Sequence, residues 1–273
     1  MSATLRVTIL GCGSSGGVPR ATGDWGACDR TEPRNRRSRC GILLQKWASR
    51  ASAAPEQATT VLIDTPPELR DQLSKAQPSH LDAVLISHDH ADQVAGFDDL
   101  RAYFIKHRRT LPVWMDESTR STFMKRFGYA FESATAYPAI VREAGAIEAL
   151  TPIVIEGPGG ALEIMPLEQD HGFSPSLGFR AGPAAYSNDL VDMPQATLDR
   201  LDGLSLWIVD ALRETPHPTH AHLQKALDWV TALKPAHTLL TNLHVEMDYA
   251  TLKARLPAGV EPAYDGWTGD YPV

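Results

Sequence analysis

The 273 residues predict a layered α/β sandwich. Short apolar strand signals come early in each half of the chain, and helical periodicity follows them. No repeat of about 20–50 residues appears. No linker-like composition shift divides the chain, so residues 1–273 read as one domain.

The elements follow in order. Residues 4–10 are β-branched and apolar, a strand that runs into the flexible loop Gly11-Cys12-Gly13-Ser14-Ser15-Gly16-Gly17. A polar stretch over 20–39 carries Arg34, Arg36, Arg37 and Arg39. Strands are expected at 40–46 and 60–64, joined by an Ala/Ser-rich surface hairpin loop. Helical spacing begins after Pro66-Pro67, and a strand at 82–86 leads into a histidine-rich turn and another helix-like stretch. Further strand signals fall at 112–115, 152–156, 161–167, 176–181, 184–187, 205–210 and 237–241. The best late helix is 219–233, where Leu223, Ala226, Leu227, Val230 and Leu233 form one apolar face.

Hydrophobic residues at 43% and charged residues at 22% are ordinary for a globular chain that can build its core without a structural metal. Any metal would then serve chemistry. A net charge of -7 argues against broad affinity for nucleic acid, while leaving room for a local basic pocket. Cys12, Cys28 and Cys40 make a poor disulfide framework. The first residues enter a strand with no long apolar leader, and no apolar run nears the roughly 18 residues of a membrane span. A cytoplasmic location is expected.

The sharpest chemical signal is Ser87-His88-Asp89-His90-Ala91-Asp92-Gln93, directly after an apolar strand. Two imidazoles at alternate positions and a carboxylate two residues on form a compact N/N/O set. Such a set suits zinc, with manganese or iron also fitting.

This run resembles the His-x-His-x-Asp-His signature of the metallo-β-lactamase superfamily. Other stations of that family fall in order: Asp64 closing Leu62-Ile63-Asp64-Thr65, His171, Asp189 after Tyr186-Ser187-Asn188, and His244. The resemblance implies an αββα sandwich, two facing mixed β-sheets flanked by helices, with strand-end loops around one metal cleft. It implies that His88, His90 and His171 hold one divalent metal, zinc or manganese, with Asp189 shared and Asp92 helping to hold a second. Asp64 would fix the orientation of a ligand. Two departures touch the second position: Gln93 stands where the family has His, and Asn242 where its last ligand His belongs. Three outcomes stay open: an empty second position, a harder ion such as manganese, or His244 replacing Asn242. A weakened or oxygen-rich second position is favoured, so one or two ions are expected.

Within the superfamily the chain is similar to the phosphoribosyl cyclic phosphate phosphodiesterases. The matching residues are Leu10-Gly11-Cys12-Gly13, the run from Arg34 to Cys40, Pro218-Thr219-His220 and Tyr264-Asp265-Gly266. That resemblance gives catalytic parts to His220, Asp92 and Asp64, with His220 protonating the leaving oxygen. It gives substrate contacts to His220, His222, Arg37 and Arg39. His220 would open the 219–233 helix behind a Thr219 N-cap. The branch's structural zinc cysteines are reduced here to Cys28, and Trp25 is expected to fill their volume.

The reading is a metal-dependent hydrolase, a phosphodiesterase for a small cyclic nucleotide- or sugar-phosphate ester that uses metal-activated water. Two others stand beside it: a lactone or thioester hydrolase on the same site, and a non-catalytic binding protein with an incomplete metal site. The expected partner is a small phosphate ester, with no nucleic-acid polymer and no membrane; a homodimer stays open.

Overall fold

Strand residues alternate between two apolar neighbours, the pattern of a sheet covered on both faces. The computed structural model describes residues 2–49, 54–134 and 137–273. The first sheet is built from β1 (Thr4–Gly11), β2 (Gly41–Trp47), β3 (Thr59–Ile63), β4 (Ala83–Leu85), β5 (Leu111–Met115) and β6 (Val141–Ala146). The second takes β7 (Ile153–Ile155), β8 (Leu162–Asp170), β9 (Pro175–Ala181), β10 (Ala184–Ser187), β11 (Leu206–Asp210), β12 (Thr238–Thr241) and β13 (Val260–Pro262). Finally β14 (Thr268–Pro272) returns to the first sheet, antiparallel to β1, with Thr4 opposite Pro272.

Among the described residues each sheet has seven strands, ordered β14-β1-β2-β3-β4-β5-β6 and β13-β12-β11-β10-β9-β8-β7. Both are mixed. Strand β3 is antiparallel to β2 and parallel to β4, while β10 is antiparallel to β9 and parallel to β11.

Leu5, Val7, Ile9, Ile42, Leu44, Val61 and Ile63 point between the sheets and meet Ile164, Phe179, Tyr186, Ile208 and Leu239. Burying each such side chain contributes roughly 1.5–3 kcal/mol. The intervening Leu43, Leu62 and Val84 face outward, into a cluster with residues of α1 (Leu69–Ala76), α2 (Ala91–Val94), α3 (Arg101–His107) and α4 (Glu117–Phe127). Trp207, Val209 and Leu240 do the same on the second sheet, against α5 (Gln195–Leu198), α6 (Leu223–Leu233) and α7 (Tyr249–Lys253). The layers are therefore αββα, as the sequence predicted.

Three differences matter. Helix α6 begins at Leu223 rather than at 219, with His222 extended at φ −92 and ψ 164 as its N-cap. Thr219 lies three residues before that cap, with its Oγ1 3.2 Å from His217 Nδ1. Strands β6, β13 and β14 were not foreseen, and residues 50–53 of the Ala/Ser-rich connection lie outside the described residues. Trp25 packs against Val18, Cys28 and Val245.

Candidate metal centre

Six strand ends supply the site. Asp64 follows β3, His88 follows β4, His171 follows β8, Asp189 follows β10, Asp210 ends β11 and Asn242 follows β12. Asp64, Asp189 and Asn242 have φ of 66, 54 and 61. Asp and Asn tolerate this left-handed region better than other non-glycine residues, and such backbone strain clusters at functional sites.

His88, His90 and His171 converge, with ring nitrogens inside 4.8 Å of one another. Their ring centroids lie 4.5 Å (His88–His90), 5.1 Å (His88–His171) and 5.0 Å (His90–His171) apart. Asp64 sets the His88 tautomer through a relay. Its carboxylate accepts from the Ser87 N–H at 2.8 Å and from Ser87 Oγ at 2.9 Å. Ser87 Oγ, its proton committed, accepts from His88 Nδ1 at 3.1 Å. That leaves a lone pair on His88 Nε2, which is buried without a hydrogen-bond partner.

His171 is oriented the same way. Its Nδ1–H donates to the Thr219 carbonyl at 2.8 Å, so its Nε2 lone pair faces His90 Nδ1 at 3.3 Å. Gly172, at φ +78, permits this approach, since a Cβ there would meet Thr219 Cγ2 at 2.7 Å. Burial and then the charge of His220 lower the His171 pKa to about 4, and burial holds His88 well below the ordinary imidazole value. Three convergent imidazoles, two of them held neutral and one with an orphaned buried nitrogen, fit one divalent cation. Asp189 joins from the other side, grouped with His171 and His220.

The second half of the centre is different. Asp189 Oδ2 accepts from Gln93 Nε2 at 2.8 Å and from Asn188 Nδ2 at 2.5 Å, and its Oδ1 accepts from Asn242 Nδ2 at 3.1 Å. Gln93 and Asn242 thus turn N–H donors, not lone pairs, toward the carboxylate. Burial, then Asp92, raises the Asp189 pKa well above the usual carboxylate range. His220 Nδ1 lies 2.8 Å from Asp210 Oδ2 and 3.6 Å from Asp189 Oδ1. Burial opposes charge on this ring, yet Asp210 and Asp189 together raise its pKa to about 9. Asp64, wholly buried, is raised by desolvation to about 7 despite its two bonds from Ser87.

Several residues fall elsewhere than the sequence suggested. Asp92 and His244 belong to neither convergent group among the described residues. Asp92 stays half-buried beside them, whereas the His244 ring meets Arg20 and lies 3.5 Å from Glu246, held by charges outside the metal centre. His222 holds the N-cap position of α6 through its backbone alone, and its ring makes no capping bond. Arg37 is buried, with its guanidinium on Asn35 at 3.2 Å, and Arg39 is neutralised by Glu68. Both line a separate cleft of about 470 Å³ that includes none of the convergent ligands.

Asp210 was missed. Its signal was available in Leu206-Trp207-Ile208-Val209-Asp210, a carboxylate closing an apolar strand as Asp64 does.

This fold and this histidine cluster define a metallo-hydrolase of the metallo-β-lactamase type. The chain belongs to that family: residues 59–242 match the family described as Beta-lactamase superfamily domain. It is similar to the crystal structure of a new diphosphatase from the PhnP family, at TM-score 0.86 and 29% identity over 99% of this chain and 98% of that one. That neighbour fits the branch to which the sequence motifs pointed. Zn(2+)-bound PqqB from Methylobacterium extorquens shares the fold, at TM-score 0.72 and 16% identity over 97% of this chain and all of that one. A curated relative, an octanoyltransferase of Porphyromonas gingivalis strain ATCC BAA-308 / W83, is 28% identical over 266 residues, 96% of this chain. The chain spans only 51% of that protein's length.

Proposed function

We propose that this chain hydrolyses small phosphate esters or anhydrides at a centre built for one divalent ion. The carrying observation is the asymmetry around Asp189: three convergent imidazoles on one side, amide N–H groups and the Asp210-bound His220 on the other. His88, His90, His171 and Asp189 would hold a divalent ion, which would supply Lewis acidity toward a phosphoryl oxygen and toward water. Asp64 and Ser87 hold His88 in its binding tautomer. Asn188, Gln93 and Asn242 fix Asp189 by amide donation and occupy the side that a second ion would need.

His220 is the proton donor. Paired with Asp210, it stands beside the cluster, its ring centroid 4.8 Å from that of His171. It delivers a proton to the departing oxygen, and the Asp210 carboxylate holds the ring in place while it does so.

Acyl-ester or thioester hydrolysis is the second reading, favoured by the name of the octanoyltransferase relative. A panel of bis-p-nitrophenyl phosphate, cyclic nucleotides, nucleoside diphosphates, lactones and thioesters, with zinc or manganese, separates the two. Phosphate turnover is expected, and turnover of lactones or thioesters alone would reject the proposal.

A further inference from the structure

The three histidines of the cluster are not held alike. Ser87 and Asp64 fix the His88 ring, and the Thr219 carbonyl fixes the His171 ring. The His90 ring is exposed, and among the described residues its one hydrogen-bonding neighbour is another member of the cluster, His171, at 3.3 Å. Its direction must therefore be set through its backbone.

Helix α4 supplies that hold. Arg126 Nη2 donates both to the Asp89 carbonyl and to Asp89 Oδ2. Thr122, one turn earlier on the same helix face, also points its Oγ1 at Asp89 Oδ2, sharing its proton with the Thr119 carbonyl at 3.1 Å. The Asp89 carbonyl belongs to the planar peptide that carries the His90 N–H, so Arg126 fixes that plane. The next peptide is fixed as well, since the His90 carbonyl accepts from the Gln93 N–H at 3.0 Å. With His90 thus held at φ −65 and ψ 148, its Cα–Cβ bond has one direction and only a few side-chain rotamers remain. We infer that Arg126 is a positioning residue for the metal ligand His90, acting through Asp89. This role rests on the metal-hydrolase reading and concerns its cation rather than its substrate.

The helix is a firm anchor. Asp116 caps its N-terminus by accepting from the Thr119 N–H at 2.7 Å. Phe123 and Phe127 pack on Phe97, with ring centroids 4.8 and 5.3 Å away, and Phe97 lies just beyond the short helix α2 that His90 caps. Helix α4 therefore grips the ligand turn twice, by charge before His90 and by aromatic packing after it. The Arg126 and Asp89 side chains are 39% and 27% exposed, so water screens the pair and its effect on the metal should be modest.

The test uses the full chain, stripped of metal and titrated with zinc against a chromophoric chelator, then loaded with cobalt for its visible absorption. Arg126→Ala should weaken zinc about tenfold, the lower end of what groups supporting a metal ligand contribute, and should shift the cobalt bands. Arg126→Lys should recover part of the loss. Asp89→Ala keeps the carbonyl contact and should cost less, and the double variant should match Arg126→Ala, because the arginine works through Asp89. Arg120→Ala, which breaks the tie between α4 and Glu143 instead, should leave zinc affinity unchanged. Wild-type zinc affinity and cobalt bands in Arg126→Ala, or equal losses in Arg126→Ala and Arg120→Ala, would overturn the role. The expected zinc series without any phosphate turnover would support it and defeat the hydrolase reading. A wild type that takes up no zinc would overturn both.

Discussion

The two sides of Asp189 have the same architecture and opposite chemistry. Each is made of polar side chains at the ends of buried strands. On the His88 side every neighbour arranges a lone pair: Asp64 through Ser87 for one ring, the Thr219 carbonyl for another. On the Asn242 side Gln93, Asn188, Asn242 and His220 each turn a donor toward a carboxylate, while the amide oxygens of Gln93 and Asn188 stay buried without a partner. A cation stabilises converging lone pairs, and amide donors stabilise converging carboxylates. Two amides in place of two imidazoles therefore do more than weaken a second metal position. They fill it with hydrogen bonds.

The largest break in this comparison is His171→Ala. It removes a ligand and the link to Thr219, so metal content should fall to near zero and hydrolysis to background, as read by elemental analysis and turnover. His220→Ala or Asp210→Asn should spare the metal and cost about 10²–10⁴ in kcat/KM. That loss should be greatest on unactivated alkyl esters and smallest on p-nitrophenyl esters, which need no protonated leaving group. Asp64→Asn comes next. Ser87 would lose one of its two acceptors and His88 its fixed tautomer, for a fall of about 10–100-fold in metal affinity, measurable by competition with a chromophoric chelator.

The smallest effect lies outside the centre. Burial works against the Asp248 charge, but bonds from the Thr251 and Asp29 N–H groups and from Asn35 hold its pKa down at about 2. A depressed carboxylate stabilises the fold above its ordinary value near 4 and loses that contribution as pH falls toward 2. Because the group is partly solvated, the contribution is on the order of 1 kcal/mol. Urea midpoints between pH 5 and pH 2 should fall less steeply in Asp248→Asn than in the wild type.

Legibility in the sequence followed burial. Strands β1, β4 and β11 are apolar runs, and the site-bearing turns after β3 and β4 announced themselves because a polar residue abruptly ends each run. Strand β14 was hidden, since Thr-Gly-Asp-Tyr-Pro has no apolar alternation and is held by its edge pairing with β1. Helix α4 buries only Thr119 and Phe123, too little to show a face. The basic run misled for a different reason: Arg34, Arg37 and Arg39 look like free charges in the sequence, but the fold sets them against Glu32, Asn35 and Glu68.

Metal stoichiometry decides the central claim most directly. Elemental analysis of the wild-type chain, equilibrated with saturating zinc and then with manganese and freed of excess ion, should give one ion per chain. The Gln93→His/Asn242→His double variant should give two. Two tightly held ions in the wild type would contradict the account, for the Gln93 and Asn242 amides would then have to abandon Asp189.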